Sequence, residues 1–201
     1  MSDDAPLDDP PRDDAQLIRA TLGGEPAAFG QLVLKYQDRL YNTLYRVLGS
    51  AEDARDVAQD AFVQAFLKLE SFRGSAAFYT WLYRIGFNLA MSHRRRGRPV
   101  ASLDTSRSEH GVEPADGRPT PEADAARHDR ARLVHAALAG LADDYRQVVV
   151  LREIDGFRYE EIAEILEVPI GTVRSRLFRA RLQLRDRLAP LLTDEELAEI
   201  C

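Results

Sequence analysis

Cysteine is nearly missing from this 201-residue chain: the only one, Cys201, is the last residue. No disulfide can close within the chain, and such usage fits a reducing, cytoplasmic setting. No run approaches the roughly 18 apolar residues of a membrane-spanning helix, so no direct membrane insertion is expected. The start is rich in Asp and lacks the basic lead and apolar core of a secretory leader. A glycine-rich phosphate loop is missing, and so are Asn-Gly and Gly-Asn hairpin dipeptides. The histidines His93, His110, His128 and His135 are scattered without metal-ligand spacing, and no nucleophile stands beside a paired base. These gaps argue against an enzyme, and no cofactor or metal is expected.

What is present is charge, unevenly placed. The formal net charge is -6. Residues 1–14 contribute -5, with six Asp against Arg12, and residues 99–125 contribute -4. Taking both from the total of -6 leaves +3 for the rest, so the remaining chain presents a basic field suited to a polyanion. The stretch 99–125 carries Pro99, Pro114, Pro119 and Pro121 with no aromatic residue or Ile, and reads as a flexible acidic linker. Its 27 residues reach at most about 90 Å when extended, a couple of DNA turns.

Before that stretch, apolar residues recur at steps of three and four. Phe29, Leu32, Val33, Tyr36, Leu40, Leu44, Val47 and Leu48 make one stripe, closed by Gly49. Val57, Ala61, Phe62, Ala65, Phe66 and Leu69 make a second, and Phe78, Trp81, Leu82, Ile85 and Leu89 a third. This spacing predicts an all-helical bundle over residues 16–98. After the linker, Leu133, Val134, Ala137, Leu138 and Leu141 continue the pattern. The run Val148–Leu151 fits a strand by propensity, but Asp143 and Asp144 read as a helix cap and Gly156 as a stop, which favours helix. The fold class is therefore all-α: two small helical domains joined by the linker.

The segment YEEIAEILEVPIGTVRSRLFRAR reads as a helix-turn-helix. Pro169 suits the first turn of the second helix, where its missing N–H would have no partner. Val173, Leu177, Ala180, Leu184 and Leu188 share one face of that helix. Thr172, Arg174, Ser175, Phe178 and Arg179 point away from it, with Arg176 and Arg181 on the flanks. An arginine fork matches O6 and N7 of guanine in the major groove, at about 1–3 kcal/mol of discrimination per pair. Flanking arginines would neutralise phosphates. A merely solvated basic helix is the competing reading, which the turn and the preceding helix disfavour. Glu167 stands where such a turn commonly has Gly, so a positive φ is expected there.

A second element packs Phe72, Phe78, Tyr79, Trp81, Tyr83 and Phe87 ahead of Arg94, Arg95, Arg96 and Arg98. Phe78 and Trp81 lie on the apolar stripe and read as core. Tyr79, Tyr83 and Phe87 fall off it, leaving aromatic surface beside a basic terminus, which suits stacked single-stranded bases. Rings packed on neighbouring helices and a solvated Arg run remain the plainer alternative. The helix before it turns Asp53, Asp56, Gln59, Asp60 and Gln64 away from its apolar stripe, either a solvated face or a dock for a basic helix.

Together DARDVAQDAFVQAF, SFRGSAAFYTWLYRIGFNLA and LREIDGFRYEEIAEILEVPIGTVRSRLFRAR resemble the extracytoplasmic function (ECF) sigma factors of RNA polymerase, in the sigma-70 family. The likeness is to the proteobacterial sigma-E branch and covers roughly residues 16–190. It implies region 2 over residues 16–98 and region 4 over 126–190, with an acidic tail over 1–15, the linker over 99–125 and a C-terminal tail over 191–201. It implies that Asp53, Asp56, Gln59, Asp60 and Gln64 bind the clamp helices of the polymerase β′ subunit. Capture of melted −10 bases would fall on Phe72, Arg73, Gly74, Ser75 and Ala76, with Tyr79, Tyr83, Asn88, His93, Arg94, Arg95 and Arg96. The −35 duplex would be read by Thr172, Arg174, Ser175, Arg176, Arg179 and Arg181. The implied partners are core polymerase, including its β flap, promoter DNA, and an anti-sigma factor of a kind often tethered to the membrane.

The runner-up is a stand-alone helix-turn-helix regulator with an N-terminal sensor or dimerisation bundle. It would bind duplex DNA tightly without polymerase, and the aromatic–arginine element speaks against it. The resemblance predicts that Arg176→Ala lowers −35 recognition, read as promoter strength in transcription with core polymerase.

Overall fold

A computed structural model describes residues 13–96 and 133–189, and all regular structure among them is helical. The acidic tail up to residue 12, the linker 99–125, the stretch 191–201 and Cys201 lie outside the described residues, as does residue 98 of the arginine run.

The first block has four helices. α1 (Asp14–Leu22) starts at Asp13, whose carboxylate takes the Gln16 N–H at 2.7 Å while the Gln16 side chain takes the Asp13 N–H at 2.9 Å. This reciprocal cap satisfies two N–H groups that the helix itself leaves over. Asp14 then accepts from Lys35 and Tyr36, pinning α1 to the next helix. α2 (Pro26–Leu48) has Pro in its first turn and ends at Gly49, which takes the left-handed conformation at φ 79. At 23 residues it is about 35 Å long and forms the spine of the block. α3 (Ala51–Leu67) is capped by Ser50, which accepts the Asp53 N–H at 3.2 Å. A 3-10 turn (Leu69–Ser71) and a loop over 72–77 lead to α4 (Phe78–Arg96), whose basic last turn complements the helix dipole.

These helices bury the stripes that the spacing marks: Leu32, Leu40, Leu44 and Val47 of α2 against Ala54, Val57, Ala61 and Ala65 of α3 and Leu82 and Ala90 of α4. The alanines let the backbones approach. Gly86 carries this furthest, since a Cβ there would stand 3.3 Å from Leu40 Cδ1 and 3.7 Å from Ala61 Cβ.

The second block comprises α5 (residues 133–139), α6 (Asp143–Val149), α7 (Tyr159–Leu166) and α8 (Ile170–Leu188). α6 does not stop at Val149. It widens into a π turn over Val150–Ile154, with the Asp155 N–H bonded to Val150 O at 3.0 Å, before Gly156 at φ 76 ends it. Val148–Leu151 is thus helical and fully buried, as its flanks implied. Asp143 and Asp144 are not the cap, however. Ala142 holds that position without a side-chain bond, and the two acids lie one step inside the helix, where they reach other elements.

The two blocks pack on each other. α7 lies across α4, and the π turn and α6 meet α2. At the centre of that joint stands Arg146, 7% exposed. It donates to Leu138 O at 2.8 Å, Ala139 O at 2.8 Å and Leu141 O at 2.9 Å within its block, and to Val47 O at 2.9 Å at the end of α2. Hydrogen bonds to a charged group are worth about 1.5–3 kcal/mol, and buried acceptors left without a donor cost about 1–3 kcal/mol. Arg146→Ala should therefore destabilise the chain by about 3 kcal/mol or more in urea denaturation; a loss within that of an exposed substitution, about 0.5 kcal/mol, would contradict this role.

Candidate nucleic-acid interface

The helix-turn-helix forms as read. Ile162 and Ile165 of α7 close on Val173, Leu177 and Ala180 of α8, all buried. Glu167 makes the turn at φ 53 and ψ 44, and its N–H bonds to Ala163 O. Pro169 stands one place earlier than the spacing suggested: it is the residue before α8, extended at ψ 144, and its carbonyl accepts the Thr172 N–H at 2.8 Å. This turn aims the exposed face of α8 outward, with Arg174, Ser175, Arg179 and Phe178, the last 65% exposed.

The six −35 candidates then divide by environment. Arg174 and Arg179 are exposed and, among the described residues, unpaired, as is the exposed Ser175 apart from its bond to Thr172 O at 3.0 Å. Thr172 is half-buried at the start of α8. Arg176 pairs with Asp144 of α6, and Arg181 donates to Glu153 in the π turn at 2.7 Å. That bond pushes the Arg181 guanidinium further up from its ordinary value. Arg176 and Arg181 therefore hold α8 against its own block, besides lying on the flank of its basic face.

In the loop before α4, Gly74 adopts φ 67 and Arg73, Gly74 and Ser75 are exposed, while Phe72 and Ala76 are half-buried. The Phe72 ring anchors the loop on Trp81 at 5.3 Å and Phe78 at 5.9 Å. A cavity of about 210 Å³ opens beside it, lined by Arg73, Ser75, Ala76 and Trp81. Further along α4, Asn88, Arg95 and Arg96 are exposed. His93 lies 3.8 Å from Asp53, and Arg94 pairs with Asp143 at 2.7 Å.

The expected aromatic surface on α4 needs correction. Tyr83 and Phe87 are buried at 0% and 2% exposure, and only Tyr79 stays half-exposed. The cause is that α4 has two covered faces, one against α2 and α3 and one against the second block. The Phe157 ring sits 4.9 Å from Tyr83 and 5.4 Å from Tyr79, with the Arg39 guanidinium over it at 5.5 Å. Tyr79 gives its hydroxyl to Glu161 of α7. Phe78 is core as expected, whereas Trp81 is only half-buried.

On α3, Asp56, Gln59 and Asp60 are exposed, and Asp53 and Gln64 half-buried, along one face. The same face continues into Val63 and Leu67, 51% and 74% exposed. Reading charge alone missed these two. Their signal was available: apolar residues at 63 and 67 fall four apart, off the buried stripe.

Two family models match the chain: "Sigma-70 region 2" over residues 32–99 and "Sigma-70, region 4" over residues 131–184. The chain belongs to the sigma-70 family, in its ECF group. It is 40% identical over 189 residues to the RNA polymerase sigma-H factor of Pseudomonas aeruginosa, covering 90% of this chain and 96% of that protein. Identity to the ECF RNA polymerase sigma-E factor of Escherichia coli is 38% over 184 residues, covering 89% and 96%. Among solved structures, CnrH in complex with the cytosolic domain of CnrY matches with a TM-score of 0.64 and 30% identity, over 87% of this chain and 96% of that one. RpoE with the anti-sigma factor NepR from Bartonella quintana matches at 0.61 and 26%, over 80% and 96%. This sigma factor is thus an alternative initiation factor that directs RNA polymerase to promoters, rather than a stand-alone regulator.

One polar cluster that the sequence did not reveal lies between region 2 and region 4. Asp155 Oδ2 accepts from Thr43 Oγ1 at 2.8 Å, Tyr83 Oη stands 3.2 Å from the same hydroxyl, and Arg39 donates to Asp155 O. Thr43 has one proton and two acceptors in reach, Asp155 Oδ2 and Arg39 O at 2.9 Å, while its lone pairs can accept from Tyr83. Burial pushes the Asp155 carboxyl up from its ordinary value, against the weaker downward pull of the Thr43 bond and the Arg39 and Arg46 guanidiniums. A carboxyl raised by packing adds stability that is complete at low pH and fades as pH rises through the raised value. In denaturation at a series of pH values, acidification from neutrality should stabilise the wild-type chain relative to Asp155→Asn; two parallel profiles would refute this.

Proposed function

We propose that three surfaces divide the work of initiation. The α3 face with Asp53, Asp56, Gln59, Asp60 and Gln64, ending in Val63 and Leu67, docks the clamp helices of the polymerase β′ subunit. Its acids suit a basic partner, and its apolar end supplies the area that gives such a dock its hydrophobic stabilisation. The loop from Phe72 to Ala76, with Tyr79, Asn88, His93 and Arg94–Arg96, takes unstacked bases of the −10 element and holds the adjoining backbone, while the buried Tyr83 lies beneath this surface. The outward face of α8 reads the −35 duplex: Arg174, Ser175 and Arg179 meet base edges from the N-terminal half of the helix, and Thr172, Arg176 and Arg181 support backbone contact.

In this reading residues 16–98 act as region 2 and 126–190 as region 4, with the acidic stretch 99–125 between them and region 4 resting on the β flap. The chain works in the cytoplasm. No helix among the described residues is long and apolar enough to cross a membrane. Since the similar structures are complexes with CnrY and with the anti-sigma factor NepR, we assign this chain an anti-sigma partner as well.

The observation that carries the reading is the arginine face of α8: two guanidiniums, unpaired among the described residues, held outward by a formed helix-turn-helix on an acidic chain. Arg174→Ala and Arg179→Ala should each lower transcription by core polymerase from a −35-dependent promoter about 10-fold, as a 1–3 kcal/mol contact implies. Both side chains are exposed, so folding should be unchanged by circular dichroism. Unchanged promoter strength in both variants, or no stimulation of core polymerase by the wild-type chain on any fragment of a genomic promoter library, would overturn the reading.

A further inference from the structure

The promoter reading leaves one reactive side chain unused. The chain has two methionines, Met1 and Met91, and only the second lies among the described residues. Met91 is half-buried on α4, and its sulfur accepts the Gln147 Nε2–H of α6 at 2.8 Å. Gln147 itself is 5% exposed. One turn further along α4, Arg94 pairs with Asp143 of α6 at 2.7 Å. Met91–Gln147 and Arg94–Asp143 thus form two rungs between the helices. The second rung joins opposite charges. The first rests on a thioether, which is a weak acceptor and the one readily oxidised group of the four.

A thioether sulfur carries two lone pairs, and oxidation at one or the other gives sulfoxides of opposite hand. The bond to Gln147 occupies one lone pair of Met91, and the other meets no donor among the described residues. We propose that Met91 is a modification site: a peroxide oxidises its sulfur on the free side alone, and the sulfoxide releases Gln147 and loosens α4 from α6. The free lone pair attacks one peroxide oxygen, the O–O bond breaks and an S–O bond forms. The hydroxyl proton passes to the departing hydroxide, which leaves as water. Sulfur is oxidised by two electrons and the peroxide is reduced by two.

The product suits the joint less well than the thioether does. The S–O bond draws charge from the sulfur, which ceases to be an acceptor, while the new oxygen lies on the side away from Gln147. The Gln147 N–H becomes a buried donor without a partner, and a polar oxygen stands where a flexible apolar side chain packed. Both effects weaken the first rung. A reductase for that one epimer restores the acceptor, so the change is reversible. The site rests on the contact of α4 with α6 and is independent of the promoter reading.

The test uses the full chain with Cys201→Ser, which removes the only thiol. Folded protein is treated with excess hydrogen peroxide, and the two sulfoxide epimers of the tryptic peptide 85–94 are separated by chromatography. One epimer should exceed the other about tenfold, since attack at the bonded lone pair must first break a hydrogen bond. Oxidation in urea should give near-equal amounts. Gln147→Ala, checked for folding by circular dichroism, should lose most of the excess. Met91→Leu, a swap of similar volume that peroxide does not oxidise, supplies a second arm that stands even where Gln147→Ala fails to fold. Peroxide should lower the urea midpoint of the Met91 chain by about 1 M and leave that of Met91→Leu in place. Met1 is common to both chains. Equal epimers from the folded chain, or an excess that survives in folded Gln147→Ala, overturn the one-sided oxidation. A midpoint that stays, or that falls equally in Met91→Leu, overturns the loosening. Resistance of Met91 in the folded chain to peroxide that oxidises the same peptide in urea overturns the site itself.

Discussion

A single guanidinium with no carboxylate in contact in its fork holds the two halves of this molecule in place. Arg146 is buried, yet its compensation comes from main-chain carbonyls at and beyond the ends of α5 and α2, with Asp143 no nearer than 4.0 Å. Those carbonyls are the ones a helix leaves without internal partners, and they carry the negative end of its dipole. One side chain thus gathers carbonyls of both blocks, sharing Leu138 O with the Leu141 N–H and Val47 O with Arg94, and in doing so fixes where α2 ends relative to α6. Burial and the neighbouring Arg94 charge push the Arg146 group down from its ordinary value, but a guanidinium stays protonated, so the anchor keeps its charge.

The acids at helix starts follow a related economy. Glu161 gives one oxygen to the Arg158 N–H at 2.8 Å, which begins α7, and the other to Tyr79 of region 2. Asp143 and Asp144 sit in the first turn of α6, where they favour the dipole, and reach Arg94 of α4 and Arg176 of α8. Local helix formation and long-range docking therefore share the same side chains. Most of these pairs are partly exposed and individually weak. Their effect is to orient helices whose apolar faces supply the stability.

Much of this was legible in the sequence, for a physical reason that also explains the errors. Periodicity reports the most heavily buried face of a helix. It marked α2 and α3 well, found the stop at Gly49, and placed the helix-turn-helix with its outward arginines. It failed on α4, which is covered twice: Tyr83 lies off the stripe because its ring packs on Phe157 of the second block while its hydroxyl meets Thr43 of α2, and Phe87 stacks beside it. Composition likewise led Asp143 and Asp144 to be taken for a cap, since their partners Arg94 and Arg176 are about 50 and 32 residues away in sequence. The same distance hid Arg146 and the Thr43–Asp155 pair. Glu167, by contrast, was visible because its constraint is local: the turn needs a positive φ whatever surrounds it.

The π turn after α6 has a consequence of phase. An ordinary α-helix advances about 100° per residue, and a π turn holds one residue more than an α turn before the axis resumes. Here that additional residue is accommodated between Val150 and Ile154, directly before Asp155 and Phe157. Deleting one residue in this turn would leave α7 and α8 intact as helices while swinging the whole reading head about its axis by roughly a quarter turn. The arginines would still be basic, exposed and helical, yet they would address a different bearing from the one that region 2 presents. For this chain the angular bookkeeping of one widened turn thus matters as much as the identity of the side chains it delivers.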